Sequence, residues 1–166
     1  WVDSPKFQKI YQLLESVSGQ TAIYSNYEKH GIVLIKQFLQ KTRYANAIAY
    51  LDPEESVEKQ IQEIESYNSG KKRILLIHPE ITEGISLLAT EHFHILEPIS
   101  NAALLEQVIG RAVRFKSHEK LPKERRKVNI YIWRSDISYS TLDLGLFNIP
   151  SAAGLLRRKH WQKKYV

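Results

Sequence analysis

Two arginines three residues apart are the side chains in this sequence best suited to chemistry, and they lie in QVIGRAVRF, residues 107–115. On an α-helix each residue advances about 100°, so Gln107, Arg111 and Arg114 fall within about 60° of one another. The opposite stripe is apolar and has the spacing of a core face: Leu105, Val108, Ile109 and Ala112. The pattern predicts a helix that presents two guanidinium groups to a negative charge outside its own domain.

A glycine borders the polar face of this predicted helix. Gly110 costs roughly 1 kcal/mol of helix propensity relative to alanine, and it lets another backbone or a ligand approach closely. The alternative is an ordinary surface face, whose arginines form salt bridges with nearby acids.

The charge is distributed unevenly along the 166 residues. Residues 1–106 carry 10 Lys and Arg against 14 Asp and Glu, a net of −4, whereas residues 107–166 carry 14 against 4, a net of +10. A basic half of this size favours a phosphate-bearing partner, although any single basic run also suits a solvated surface.

Composition restricts the class of protein. The chain has no cysteine, which excludes disulfides and thiolate metal sites and is typical of an intracellular protein. No apolar run approaches the roughly 20 residues of a membrane span, so we expect no membrane partner. The sequence has no methionine, even at position 1, and we therefore expect it to be an excised fragment.

Helix-like and strand-like segments alternate along the chain. Amphipathic spacing predicts helices at 6–18, with Gly19 as C-cap, and at 30–41; strands are predicted at 21–27, 44–51, 73–78, 92–98 and 128–133. This alternation predicts an α/β fold with a parallel sheet covered by helices on both faces.

A further helix has strong local signals at its start. Asp52 is the predicted N-cap, Pro53 the first helical residue, and the "NSG" at 68–70 the end. Its apolar positions Val57, Ile61 and Ile64 are predicted to lie on one face. Asn101 is the predicted N-cap of the arginine-bearing helix.

Ligands of parallel sheets gather at the carboxyl ends of the strands. The loops at those ends are SNYEKHG (25–31), HPEITEG (78–84) and EPISN (97–101), and we expect the chemistry there.

Three motifs in the right order carry a resemblance to superfamily 2 helicases and nucleic-acid translocases. QVIGRAVR resembles motif VI, written QxxGRxxR; HPEITEGIS (78–86) resembles motif V; and AIYSNY resembles motif IV. The similarity covers about residues 6–135. Within the superfamily, the pattern is most similar to the nucleoside triphosphate phosphohydrolases and early transcription factor ATPases of large, poxvirus-like DNA viruses.

The resemblance implies the second RecA-like domain of a two-domain motor, over residues 1–150, with 151–166 as a basic extension. ATP and Mg²⁺ would be bound mainly by the missing first domain, and this domain would supply arginines to the γ-phosphate. It implies Arg114 as the arginine finger and Arg111 as its γ-phosphate or interdomain partner. The expected nucleotide contacts are Gln107, Gly110, Gly84 and Ser86.

The resemblance also implies a nucleic-acid track of DNA or RNA. The residues expected to contact it are Ser25, Asn26, Tyr27, His78, Thr82 and Lys116. His78 stands where motif V usually opens with Thr or Ser, and Ser86 stands at its usual Asp or Asn; Thr82 is an alternative donor to the phosphate backbone. The transcription machinery is a further expected partner, and a viral protein would act in the host cytoplasm, in a viral factory, or in the virion.

The sequence contains no phosphate loop and no D-E-x-[HD] segment. The stretch SGKKR (69–73) resembles a phosphate loop but lacks the first glycine of G-x-x-x-x-G-K-[ST]. We therefore expect the chain alone not to hydrolyse ATP. Two functions remain open: half of an ATP-driven motor, or a non-catalytic RecA-like module that binds nucleic acid or protein, for example in a viral transcription complex. A phosphate loop upstream of Trp1 in the parent protein would favour the motor.

Two basic segments are candidates for phosphate contacts. Residues 115–127 hold six Lys and Arg against two acids, a density greater than we expect the core to need, and 155–166 hold five against none, with Trp161 and Tyr165 among them. The tail could equally be a connector that docks on an acidic neighbour. His92 and His94 alternate on a strand; without a third ligand they favour a partly buried strand over a metal site.

Overall fold

A five-stranded parallel sheet forms the centre of the protein. The computed structural model describes residues 4–81, 85–112 (for 111 and 112 the backbone only) and 117–134. The strands are β1 (Gln20–Tyr24), β2 (Ile48–Leu51), β3 (Ile74–Ile77), β4 (Thr90–Ile95) and β5 (Asn129–Ile132). Their order across the sheet is β2-β3-β1-β4-β5, and every pairing is parallel. The α/β prediction with a parallel sheet is confirmed.

In the residues that the structure describes, four α-helices cover the sheet: α1 (Pro5–Ser16), α2 (Val33–Gln40), α3 (Val57–Asn68) and α4 (Ala102–Ala112). Two shorter turns lie between them, a π-helical turn at Glu28–Ile32 and a 3₁₀ turn at Ala45–Ala47, and a second 3₁₀ turn follows α4 at Lys123–Arg125. Among these described parts of the chain, no helix has the length and apolar character that crossing a membrane requires.

Each face of the sheet has its own core. The helices α1 and α2 pack on one face through Ile10, Leu14 and Ile35, against Ile23 and other strand residues of the same parity. On the other face α3 and α4 pack against the alternate strand residues, and the members of this core include Tyr67, Val108, Leu75, Ile77 and Phe93. Because side chains alternate across a strand, consecutive apolar residues of β3 serve both cores.

The helix α3 begins later than the sequence predicts. Its N-cap is Ser56, whose hydroxyl accepts a hydrogen bond from Lys59 N at 3.3 Å. Asp52 instead closes a separate turn, where its carboxylate accepts from Glu54 N at 3.1 Å. The predicted N-cap was wrong because two capping residues compete within five positions, and Pro53 fits the first central position of a turn as well as the start of a helix.

The buried face of α3 is centred on Tyr67, and only part of the apolar stripe lies on it. Tyr67 is fully buried and its hydroxyl lies 2.8 Å from Thr90 Oγ1, which fixes the rotation of the helix. Ile64 packs against the core, but Ile61 lies about 120° around the axis from Tyr67 and is 49% exposed. Val57, the first helical residue, is 66% exposed.

An arginine from another element completes the end of α1. The helix ends at Ser16, whereas a C-cap at Gly19 implies an end at Ser18. Gly19 lies beyond the helix and has a φ of +95°. Arg73 donates hydrogen bonds to the carbonyl oxygens of Leu14, Val17 and Gly19 at 2.6–3.0 Å. The SGKKR stretch thus contributes a helix-capping guanidinium, because carbonyls at a helix end lack partners within the helix.

Candidate functional site

Parallel pairing brings the predicted loops to one edge of the sheet. The strands β3, β1 and β4 are neighbours, and at their carboxyl ends the chain continues into His78, Ser25 and Glu97, respectively. Ser25 of motif IV and His78 of motif V, which the sequence predicts at this edge, therefore follow adjacent strands.

The loop after β1 is organised by a residue that the sequence analysis did not single out. The Ser25 side chain is 0% exposed, and its hydroxyl donates to Glu97 Oε2 at 3.0 Å. The other oxygen of Glu97 accepts from the backbone N–H of Asn26. Tyr27 is 59% exposed. Glu97 lies in the EPISN loop, but nothing in that loop reveals its partner 72 residues away.

The environment of Glu97 affects its ionisation. Burial raises the pKa of the carboxyl group, while hydrogen bonds from Asn26 and Ser25 and the charge of Lys6 oppose that rise. Lys6 Nζ donates to the carbonyl oxygen of Leu96 at 2.8 Å, and burial lowers its pKa. A partly buried carboxylate that accepts two hydrogen bonds is a fixed anchor for the loop.

His78, the first residue of motif V, points into the domain. His78 is buried, and its Nδ1 accepts a hydrogen bond from Glu80 N at 3.2 Å. The backbone closes the same turn, with Ile81 N donating to His78 O at 3.1 Å. The next expected contacts of this motif, Thr82 and Gly84, lie outside the described residues.

Ser86 is held at the surface by its neighbours. Ile85 and Leu87 are buried in the core that α4 shares, whereas Ser86 between them is exposed. Asn68, the last residue of α3, donates to Ser86 O at 3.1 Å and accepts from Leu88 N at 2.8 Å. This segment and α4 therefore pack on the same face of the sheet.

The helix α4 has the orientation that its sequence predicts. Asn101 Oδ1 accepts from Ala103 N at 2.9 Å and from Leu104 N at 3.2 Å, which confirms the N-cap. Val108 is 1% exposed, whereas Gln107 is exposed. A Cβ placed on Gly110 would have no neighbouring atom within 4 Å, so this side of the helix faces open space.

Arg111 lies in the last turn of α4, one turn after Gln107. Arg114 and Lys116 lie outside the described residues. The roles of these residues, of Gln107, Gly110 and Ser86 at a nucleotide, and of Ser25, Asn26, Tyr27 and His78 at a nucleic acid stay predictions.

The described part of the first basic segment is built into the fold. Arg125 binds both carboxylate oxygens of Glu91, with Nε at 2.9 Å from Oε2, and Arg126 donates to the carbonyl oxygens of Leu121 and Glu119. Two of the six cations of this segment therefore have hydrogen-bond partners within the described chain. Glu91 lies 34 residues from Arg125, a pairing that local charge density does not reveal. The lysines at 120, 123 and 127 are exposed.

The two strand histidines stand in an aromatic stack. The ring of Tyr131 lies 4.6 Å from that of His94, and Trp133 follows on the other side at 5.9 Å, donating from Nε1 to His94 Nδ1 at 3.0 Å. Burial lowers the pKa of His94 to about 3. Over the described ranges, no three His, Asp or Glu side chains are grouped as metal ligands would be. The interpretation of a buried strand is confirmed.

Comparison with known proteins identifies the family. Residues 5–116 match the model of the helicase conserved C-terminal domain. A protein of Acanthamoeba polyphaga mimivirus, described as a candidate ATP-dependent RNA helicase, is 36% identical over 132 residues, which are 80% of this chain and 29% of the relative. A second mimivirus protein with the same description is 30% identical over 146 residues, covering 78% of this chain and 26% of the relative. The chain thus spans less than a third of the length of these relatives.

Solved structures with low sequence identity share the fold. The C-terminal part of the Fun30 ATPase domain superposes with a TM-score of 0.65 at 20% identity, over 78% of this chain and 41% of that one. The C-terminal domain of the DEAD-box protein Dbp5 gives a TM-score of 0.55 at 17% identity, over 67% and 64%. With its parallel sheet, its capped arginine-bearing helix and its viral relatives, the chain belongs to the helicase conserved C-terminal domain family, as a RecA-like domain of the superfamily 2, large-DNA-virus type.

Proposed function

We propose that this chain is the second motor domain of an ATP-dependent helicase or translocase that acts on RNA. Its fold and family support the motor, and the descriptions of the two mimivirus relatives favour RNA over DNA. ATP and Mg²⁺ would be bound mainly by a first domain, and this chain would complete the site from the other side.

The observation that carries the proposal is the orientation of α4. Its apolar stripe is anchored in the core through Val108, so the opposite stripe points away from the domain. Gln107 is exposed there, and Gly110 leaves the space beside it open. In the sequence, Arg111 follows Gln107 by four residues and Arg114 follows it by seven, and this spacing predicts a shared helical face.

Residues on this face fit a bound nucleoside triphosphate. Hydrolysis of ATP releases the free energy that moves a motor along nucleic acid. The guanidinium of Arg114 is proposed to stabilise negative charge as it develops on the γ-phosphate, with Arg111 beside it; such arginines contribute about 10³–10⁵ in rate in related enzymes. Arginine suits this role because its planar fork engages two oxygens at once. Gln107 and Gly110 are the proposed neighbours of the phosphates, and Ser86 and Gly84 are the proposed contacts of the ribose.

The carboxyl edge is the proposed RNA track. Asn26 and Tyr27 are the proposed direct contacts of the first loop, since Ser25 is buried. An exposed tyrosine can stack on any base, and an amide can donate to a phosphate oxygen, so both would bind with little sequence preference. The proposed phosphate contacts are Lys116 and Thr82, which follows His78 by four residues in the sequence.

The test is RNA-stimulated ATP hydrolysis by a longer protein that contains this chain together with the first domain. Arg114→Ala should reduce kcat at least about tenfold, which corresponds to about 1.4 kcal/mol of transition-state stabilisation, and Arg111→Ala should also reduce it. Arg43→Ala is the matched control, because Arg43 is an exposed arginine paired with Glu15 at 3.2 Å on the face of the sheet opposite α4.

Normal hydrolysis by both Arg111→Ala and Arg114→Ala would contradict the proposal and favour a non-catalytic binding module. A reduction that the Arg43→Ala control shares would point to general destabilisation instead.

A further inference from the structure

The loop Ser25–Tyr27 is held by one carboxylate that reaches it from the neighbouring strand. Glu97 follows β4, and its two oxygens accept from the Ser25 hydroxyl and from the Asn26 backbone N–H. The Ser25 oxygen in turn accepts from Tyr27 N at 3.0 Å. Three consecutive residues are thereby fixed, directly or through Ser25, to a single side chain.

The same loop is confined on its other side by the start of the next helix. A Cβ on Gly31 would lie 1.8 Å from Ser25 Oγ, so only glycine permits this packing. The turn that contains Gly31 is π-helical, with Ile32 N donating to Tyr27 O at 3.0 Å. Such turns are often found at functional positions. Ser25 is therefore enclosed between Glu97 and Gly31, and its side chain is not exposed to solvent.

The confinement determines which groups face outward. The Asn26 side-chain oxygen accepts from the Tyr24 hydroxyl at 2.8 Å, which orients the amide so that its nitrogen is available as a donor. Tyr27 projects from the loop with 59% of its surface exposed. These are the two side chains that the proposed function assigns to RNA.

We propose that Glu97 is a positioning residue for RNA binding: its carboxylate holds the Ser25–Tyr27 loop so that the Asn26 amide and the Tyr27 ring face the nucleic acid. This inference depends on the proposed function for the identity of the ligand. The clamp itself is a property of the folded chain alone.

The direction of the change in RNA affinity when Glu97 is replaced distinguishes a positioning role from a simple effect of charge. Removing an acid from a nucleic-acid-binding surface reduces repulsion of phosphates and should tighten binding. Loss of the clamp should do the opposite, because the loop must then be ordered when RNA binds. Glu97→Gln is therefore expected to weaken binding even though it removes a negative charge.

The binding experiment measures the affinity of this chain for a fluorescent single-stranded RNA of mixed sequence by anisotropy. Glu97→Gln should raise Kd about tenfold, the size of one hydrogen bond to a charged group, and Ser25→Ala should change it in the same direction. Glu65→Gln is the charge-matched control, since Glu65 is exposed in the second half of α3; it should leave Kd unchanged or slightly lower.

A pH series adds a readout that a merely structural role would not change. As the pH is lowered from neutral into the range where carboxyl groups titrate, Glu97 of the wild type gains a proton. Burial raises the pKa of this carboxyl group, so it does so at a higher pH than an ordinary glutamate, with Lys6 the charged group that faces it. The ratio of the Glu97→Gln Kd to the wild-type Kd should therefore shrink toward one. A ratio that stays constant over this range would contradict the role of the carboxylate.

Hydrogen exchange of the backbone amides tests the clamp without RNA. In Glu97→Gln, the amides of Asn26 and Tyr27 should exchange about tenfold faster, whereas those of β3 should not change. Ser25→Ala is the second variant should Glu97→Gln fail to fold, and it should accelerate exchange at Tyr27.

Each combination of results decides something. Unchanged exchange at Asn26 and Tyr27 overturns the inference, and so does faster exchange with unchanged RNA affinity. A wild-type chain that binds no RNA refutes the RNA track of the proposed function and, with it, the assigned ligand of the loop.

Discussion

The buried histidine of β4 should make the stability of this domain depend on pH in a calculable way. His94 is fully enclosed, and burial lowers its pKa from 6.5 to about 3. A histidine whose pKa is lowered on folding binds its proton more tightly in the unfolded state. Above pH 6.5 the titration of His94 does not change the free energy of unfolding. As the pH falls from 6.5 toward 3, the unfolded state gains a proton that the folded state does not, and the free energy of unfolding decreases.

The size of the decrease follows from linkage. At about pH 5, about 1.5 pH units below the pKa of the unfolded state, protonation stabilises the unfolded state by about 2 kcal/mol, at about 1.36 kcal/mol per unit. The free energy of unfolding decreases by the same amount. His94→Gln removes the titrating ring but keeps an oxygen that can accept from Trp133 Nε1. The variant is less stable at neutral pH, since it lacks the stack with Tyr131, but its stability should fall by about 2 kcal/mol less than that of the wild type on acidification.

Urea unfolding at about pH 7.5 and about pH 5.0, followed by circular dichroism, measures this difference. His30→Gln, the same substitution at an exposed histidine, is the control for loss of an imidazole that is not buried. Equal decreases in wild type and His94→Gln would refute the reasoning. Should His94→Gln not fold, an NMR titration of the wild-type ring decides the matter: a midpoint near about 6.5 would show that His94 is not desolvated as the structure indicates.

Three further predictions concern the motor. The isolated chain should show no ATPase activity above background with or without RNA, because its sequence contains no phosphate loop; turnover that co-purifies with the chain would contradict this. Gly110→Ala should raise the free energy of unfolding by up to about 1 kcal/mol, because alanine has the higher helix propensity and no atom lies near the added Cβ. The same substitution should lower the ATPase activity of the longer protein if a neighbouring domain approaches the helix there. Thermal unfolding and kcat measure the two effects, and a variant with raised stability and normal kcat would exclude a close approach. Removing 151–166 should flatten the dependence of log Kd for RNA on log salt by about one unit for each phosphate that the tail neutralises; identical slopes would assign the tail to protein contacts.

Local signals in the sequence were sufficient for most of the architecture. The run of apolar residues in β3 predicted a strand buried on both faces, and Asn101 predicted the start of α4, because each signal depends on residues close together in the chain. The start of α3 was predicted wrongly where two local signals, Asp52 and Ser56, compete.

The site was predictable only where its residues lie in one segment. The α4 face was found from helical spacing alone, and the adjacency of the loops followed from parallel pairing. Glu97 was missed because its partners, Ser25 and Asn26, are more than 70 residues away. The pairing of Arg125 with Glu91 was missed for the same reason, since Glu91 lies in β4, 34 residues earlier in the chain.

Substitution of Arg114 by lysine tests the central claim most directly. Lysine keeps the positive charge and most of the reach but lacks the planar fork, so it tests the geometry of charge stabilisation separately from charge itself. In the longer protein with saturating RNA, Arg114→Lys should lower kcat at least about tenfold while the KM for ATP changes by less than about threefold, because the interaction strengthens only as charge develops on the γ-phosphate. A kcat equal to that of the wild type would contradict the assignment of Arg114 as the arginine that this domain supplies to ATP.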